Sequence, residues 1–188
     1  MKTNSHGFTL LETLVAIAVL MISIVAPMTL AAQSLNAAYY ARNQITAYYL
    51  AQEAIEVVRS VRDANILTIA NGGTANLFDG ICPSLAQCTS GYTFTIDSLV
   101  APSQAIQACS GTCPPLQTNG TEYGQNYSNQ SGWTPTIYTR TVTAKLVNAN
   151  PDELRISVKV TWQQGSFQTL SFTISENLYR WINDGSGT

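Results

Sequence analysis

The stretch that decides the fold is GFTLLE at residues 7–12, followed at residues 13–32 by TLVAIAVLMISIVAPMTLAA. The second segment is 20 residues long and carries no charge. A helix rises ~1.5 Å per residue, so about 20 residues cross the ~30 Å hydrocarbon core of a bilayer. We therefore expect residues 13–32 to form a membrane-spanning helix.

The charges around this segment set its expected orientation and mark one unusual residue. Between Phe8 and Ala41 the sole charged residue is Glu12, and Lys2 lies ahead of it. The positive-inside rule then places the N-terminus in the cytoplasm and the chain after Ala32 outside. A charged side chain at the centre of a membrane helix costs ~3 kcal/mol, and less near its end, so Glu12 is expected to have a partner or a task.

Together, GFTLLE and the apolar run resemble the leader and methylation motif of type IV prepilins and of secretion pseudopilins. The resemblance implies that a prepilin peptidase cuts between Gly7 and Phe8 and that the new amine of Phe8 is methylated. Glycine suits the last leader position, because a residue without a side chain lets the protease approach the backbone closely. Glu12 is then expected to neutralise the Phe8 amine of an adjacent subunit when the helices stack.

The resemblance also implies a function and a set of partners. The chain is expected to be a structural subunit, a minor pilin or pseudopilin, of a type IV pilus-like or type II secretion-like filament. The implied partners are the prepilin peptidase and methyltransferase, other subunits of a homo- or hetero-filament, an inner-membrane assembly platform and membrane lipid. The implied location is the bacterial cytoplasmic membrane, and then a filament at the cell surface or in the periplasm.

Three alternatives compete with this interpretation. A secretory signal peptide has a small-x-small cleavage site available at residues 29–31, but Glu12 would then interrupt an apolar region that normally has no charge. A plain single-span anchor needs neither GFTL nor an acid in the membrane. An anchored or secreted surface binding domain that does not polymerise is the alternative from a different functional class.

Beyond the span, the apolar pattern changes from all-round to one-sided. Residues 33–63 contain no Gly or Pro, which predicts a continued helix. One apolar stripe runs along it, made by Ala47, Leu50, Ala51, Ala54, Val57, Val58 and Val61. We expect a leader at 1–7, one helix at 8–63 with a membrane and filament-core part at 8–32 and an amphipathic part at 33–63, and an exported domain at 64–188.

Alternating apolar and polar residues predict a small antiparallel sheet in the exported domain. The predicted strands are residues 92–96, 141–146, 154–162 and 170–174, with turns at 150–153 and 163–166. Gly, Pro, Asn and Ser predict irregular structure at 65–91 and a surface insertion at 101–135. One long helix packed on such a sheet is an α+β, pilin-like fold.

The four cysteines, Cys82, Cys88, Cys109 and Cys113, all lie in the expected exported domain, where an oxidising compartment favours disulfides. Four cysteines allow three connectivities, among which the sequence does not choose; pairing within each close pair is the local option. A zinc site is the alternative, although the spacing lacks a C-x2-C unit and a nearby histidine.

Catalysis and nucleic-acid binding are not expected. The single histidine is His6, which the proposed cut removes, so none is left for a general base or a metal site. Charged residues make up 11% of the chain and the net charge is -2, so no basic patch for a phosphate backbone is evident. No cofactor is indicated, and a calcium site built from oxygens alone stays open because it has no fixed spacing.

Overall fold

The structure is a computed structural model that describes residues 7, 9–74, 76–109, 112–125, 131–148, 150–165 and 168–180. Of the expected leader it describes Gly7 alone, and the proposed methylation site Phe8 lies outside the described residues. The chain divides into two compact units, residues 1–42 and 43–188, which we treat separately.

The first element is one helix, α1, at Leu10–Ala70. The predicted end at Asp63 is wrong, because nothing in the sequence interrupts a helix before Gly72. There the backbone turns left-handed, with a φ of 81°, and the Gly73 amide donates to the Thr68 carbonyl at 2.9 Å. This bond is that of a Schellman C-cap, which glycine accommodates without strain.

The second unit is built on a seven-stranded sheet whose strands pair antiparallel. Its elements are α2 (Leu85–Ser90), β1 (Tyr92–Ile96), α3 (Pro102–Ala105), β2 (Ile106–Ala108), β3 (Pro115–Thr118), β4 (Tyr123–Gly124), β5 (Thr134–Val147), β6 (Asn150–Gln164) and β7 (Gln168–Tyr179). One path through the sheet runs β2-β1-β5-β3-β4, and β6 joins β5 to β7. The three long strands β5, β6 and β7 therefore form a meander in chain order.

All four predicted strands lie within elements of this sheet, but one predicted turn is wrong. Residues 150–153, expected to connect two strands, are the start of β6. The reversal comes earlier, where Asn148 has a positive φ of 53° and Val147 pairs with Asn150. Asparagine tolerates this conformation better than most residues, so the turn is tighter than the Asn-Pro signal indicated. At the other predicted turn, Gly165 has a φ of 64°, as a hairpin connection requires.

The two segments predicted to be irregular contribute to the core. The segment at 65–91 contains α2 and the buried side chains Leu77, Phe78 and Ile81. The segment at 101–135 contains β3, where Leu116 is fully buried against the rest of the core. Both contain elements of four to six residues, which are too short for hydrophobic periodicity to register.

The core of the second unit lies between one face of α1 and one face of the sheet, which confirms the α+β fold. The buried helix residues are Ala47, Leu50, Ala51, Ala54, Ile55, Val58 and Val61. They pack in one cluster with inward residues of the long strands, such as Val142, Ile156 and Val158. The predicted stripe is thus confirmed except that Ile55 is buried and Val57 only partly so.

Candidate functional site

The predicted processing motif lies at the beginning of α1. Thr9 precedes the helix, and its side-chain hydroxyl accepts from the Glu12 amide at 3.3 Å. The Thr9 carbonyl also accepts from the amides of Glu12 and Thr13, at 3.1 and 3.2 Å. Thr9 is thus the N-cap, and Thr-x-x-Glu is the sequence of a capping box. Glu12 lies in the first turn, where the helix dipole favours a carboxylate.

The two described residues of the processing motif to which the sequence assigned roles are both exposed. Gly7 and Glu12 are exposed, and a β-carbon placed on Gly7 would meet nothing within 4 Å. Within the described part of the chain, no hydrogen bond or ion pair reaches the Glu12 carboxylate. The expected partner, the amine of Phe8, lies outside the described residues.

The apolar run that follows is suited to a lipid environment, because its backbone is helical and its hydroxyl groups are hydrogen-bonded within the helix. Among the described residues, α1 is the helix long and apolar enough to cross a membrane, with a mean hydropathy of 2.5 in its most apolar window. The hydroxyls in this run donate within the helix, at 2.8–2.9 Å, from Thr13 to Leu10, Ser23 to Leu20 and Thr29 to Ala26. Because each finds a carbonyl in its own helix, none depends on water.

The second half of α1 is held to the sheet by one fully buried cation, Arg140 of β5. Its Nη1 donates to the Leu50 carbonyl at 2.9 Å and to Glu53 Oε2 at 3.0 Å. Its Nη2 donates to the Ile96 carbonyl of β1 at 2.8 Å. A single guanidinium therefore joins the helix to two strands.

Burial lowers the pKa of Arg140, because the charged guanidinium loses its hydration. The carboxylates of Glu53 and Asp97 act in the opposite direction and favour the charged form. Asp97 is itself 2% exposed, whereas the Glu53 side chain is 34% exposed. Removing the arginine would leave the buried Leu50 and Ile96 carbonyls without their donor and Glu53 without its cation, which makes this contact important for stability.

A second, more exposed ion pair joins α1 to β7. Arg59 meets Glu176 through two parallel hydrogen bonds of 3.0 and 2.7 Å, and it meets Glu56 at 2.6 Å. The hydrogen bond to Glu176 is the main reason that the pKa of Arg59 is raised. Since the Arg59 side chain is 40% exposed, solvent screens the pair and keeps its contribution small.

Sequence reasoning missed Arg140 and its contact with Glu53. A signal was present: stepping back from Val142 and Ala144 by two residues assigns Arg140 to the inward face of its strand. The partner could not be found this way. Which helix residue faces Arg140 depends on the packing of α1 on the sheet.

The four cysteines form two disulfides, Cys82 with Cys88 at an S–S distance of 2.20 Å and Cys109 with Cys113 at 2.06 Å. This is the local connectivity among the three that the sequence left open. Cysteines paired in this way are not available as zinc ligands. The first pair joins α2 to the segment that precedes it.

Comparison with known proteins identifies the class to which the start of the chain corresponds. The family model of the prokaryotic N-terminal methylation motif matches residues 2–26. This motif is the signature of type IV pilins and pseudopilins, which are structural subunits rather than enzymes, so the resemblance seen in GFTLLE is confirmed. No curated protein and no solved structure matches the chain. The motif supports a type IV pilin-like or pseudopilin subunit that can be anchored in a membrane.

Proposed function

We propose that the protein is a minor pilin or pseudopilin that builds into a type IV pilus-like or type II secretion-like filament through its N-terminal helix. The observation that carries the proposal is the methylation motif, which matches residues 2–26 and overlaps the exposed apolar part of α1. An apolar side chain such as Ile22, which is 71% exposed, is unfavourable in water. It therefore requires lipid or another helix to cover it. Membrane lipid covers it first, and neighbouring subunits cover it in the filament.

Processing begins with a cut between Gly7 and Phe8, followed by methylation of the Phe8 amine. The openness of Gly7 supports access by a peptidase. The enzymes implied are a prepilin peptidase and its methyltransferase activity. The leader is residues 1–7, the membrane and filament-core part is 8–32, and the part after it is exported.

Glu12 is the residue that links processing to assembly. Its carboxylate has no partner among the described residues. Cleavage makes Phe8 the first residue of the mature chain, with a cationic amine, and Glu12 the fifth. A neighbouring subunit that brings its amine to Glu12 converts two costly charges in an apolar medium into one pair. Loss of one partner from such a pair costs about 3–5 kcal/mol. This energy favours one register of helix against helix.

The partners follow from this route. They are other subunits of a homo- or hetero-filament and an inner-membrane assembly platform. Before assembly the chain crosses the bacterial cytoplasmic membrane once, with its N-terminus in the cytoplasm. After assembly it lies in a filament at the cell surface or in the periplasm.

Mass spectrometry of the mature N-terminus tests the proposal, using cells that contain the processing enzymes. We expect a chain that begins at N-methyl-Phe8. The variant Gly7→Val should accumulate as the full-length form in the membrane, since the change removes the open approach to the scissile bond. An intact Met1 in the unmodified protein, or a start near Ala32, would instead indicate an anchored or secreted domain that does not polymerise.

A further inference from the structure

The edge strand β7 carries an open hydrogen-bonding edge that the filament-subunit function does not explain. Among the described residues β7 pairs with β6 alone, and the pairing is continuous from Gln168 to Tyr179 with no register shift. Within the described part of the chain, its other edge therefore presents unpaired amides and carbonyls along the strand. Such an edge is a template for a further strand.

The edge has few of the features that usually prevent pairing. Proteins protect edge strands with Lys, Pro, bulges or inward charges. β7 contains no Lys, Arg or Pro. Its single charged residue, Glu176, is an inward charge on the face of Phe172 and Ile174, and Arg59 neutralises it from the helix. A regularly paired, nearly neutral strand of 12 residues invites association unless a partner covers it.

The inward side chains of β7 are covered less completely than those of its neighbour. On β6 the inward residues, such as Val158 and Val160, are fully buried. On β7 the corresponding residues Leu170, Phe172 and Ile174 are only half-buried. An added strand would complete their coverage and gain apolar burial worth ~25 cal/mol per Å².

The helix provides the other wall of the same space. Tyr48 packs edge-on against Phe172, with ring centroids 5.6 Å apart, and remains 42% exposed. Ile45, one turn earlier on the same helix face, is 56% exposed. Further along, a groove of about 340 Å³ lies between the helix and β7, lined by Gln52, Ile55, Glu56, Arg59, Ile174, Ser175 and Glu176. We call this space, from Ile45 to Glu176, the edge groove.

We propose that the edge groove binds an extended segment of a different polypeptide, which adds to β7 as an eighth strand. Backbone hydrogen bonds to the edge supply affinity, and alternate side chains enter the groove. Those side chains are apolar, to match Phe172 and Ile174. The end near Glu56 carries a Lys or Arg, because Glu56 and Glu176 outnumber Arg59 and leave a net charge of one negative unit.

A second copy of this chain fits the edge groove poorly. Two β7 strands that pair at their free edges offer each other the same set of side chains. That set contains no basic residue to meet Glu56.

Hydrogen exchange of the full chain in detergent micelles tests the proposal with a defined probe. The probe is a synthetic peptide with valines at alternate positions, threonines between them and one terminal lysine. Its matched control has the same side chains with an N-methyl group on every amide, which blocks both edges. We expect the probe to slow exchange of alternate β7 amides by about tenfold, and the N-methylated control to leave them unchanged.

Two variants separate the groove from the outer face of the same strand. Ile174→Lys places a charge inside the groove and should abolish the protection, whereas Thr173→Lys lies on the opposite face and should retain it. Thermal unfolding checks that both variants are folded. If Ile174→Lys unfolds, Tyr48→Phe and Gln52→Lys on the helix wall take its place, with protection retained in the first and lost in the second.

Three results would overturn the proposal: unchanged exchange of β7 with the probe, equal protection by the probe and its N-methylated control, or protection that rises with protein concentration when no peptide is present. The last would assign the edge to a second copy. The proposal rests on the proposed filament-subunit function, since the added strand would come from a different subunit of the same filament. A chain that begins at N-methyl-Phe8 but shows no protection would refute the strand addition alone.

Discussion

The two halves of α1 use similar apolar residues in opposite ways. Between residues 10 and 42 the apolar side chains point in all directions and are exposed, as with Leu20 at 59%. Between residues 43 and 70 they form one stripe, in which Leu50 is 3% exposed. The difference teaches that the first half needs an external apolar partner, while the second half has its partner in the same chain.

The polar residues of the two halves differ in the same sense. In the first half the one acid, Glu12, has no partner among the described residues. In the second half Glu53 and Glu56 both meet arginines, Arg140 and Arg59. In the filament that we propose, assembly rather than folding supplies the missing partner of this charge.

The largest effect is expected where the second half is fixed to the sheet. Arg140→Ala should destabilise the sheet unit by about 3–5 kcal/mol, because the buried Leu50 and Ile96 carbonyls lose their donor and Glu53 loses its cation. Chemical denaturation of the full chain in micelles, followed by near-ultraviolet dichroism, measures this. Arg155→Ala, on the solvent face of β6, is the matched control and should cost less than about 0.5 kcal/mol. A similar cost for both variants would mean that the buried contact does not hold the helix.

Truncating one leucine in each half tests the comparison directly. Leu50→Ala should cost about 2–5 kcal/mol in the same denaturation experiment, since it leaves a cavity between helix and sheet. Leu20→Ala should leave that stability unchanged, because Leu20 does not belong to the buried cluster. The comparison would fail if the two variants shifted the unfolding midpoint equally.

The helix start should show a smaller, local effect. Thr9→Ala removes the cap and should weaken the first turn by ~1 kcal/mol, so the amides of Glu12 and Thr13 should exchange about fivefold faster in micelles. Thr9→Ser keeps a hydroxyl and should restore the slow exchange. Equal rates in the alanine and serine variants would show that the hydroxyl does not cap the helix.

The exposed ion pair between α1 and β7 should contribute least. Glu176→Gln should cost about 0.2–1 kcal/mol, in keeping with a partly exposed pair. The pKa of Arg59 is raised in the folded state, so its contribution is present at neutral pH and is lost only at strongly alkaline pH, as the pH rises through that raised value. The cost of Glu176→Gln should therefore stay constant across the neutral range. A loss of stability as large as that of Arg140→Ala would show that solvent does not screen the Arg59–Glu176 pair.

The sequence predicted those features that repeat over many residues. The stripe from Ala47 to Val61 and the four longest strand segments follow from periodicity. The apolar span follows from its length and lack of charge, and the methylation motif follows from GFTLLE. The short strands β3 and β4 were missed because two to four residues carry no period. The contact of Arg140 with Glu53 was missed because its partners are 87 positions apart and meet only after packing.

The central claim is that the first half of α1 finds its partner in a filament, with Glu12 supplying the charge. The most direct measurement is the fraction of tagged chain recovered in filaments sheared from cells, compared with the fraction left in the membrane. We predict that Glu12→Ala and Glu12→Lys remain in the membrane but disappear from the sheared fraction, whereas Glu122→Ala, an exposed acid of the sheet unit, behaves as the unmodified chain does. Normal recovery of Glu12→Ala in filaments would contradict the account.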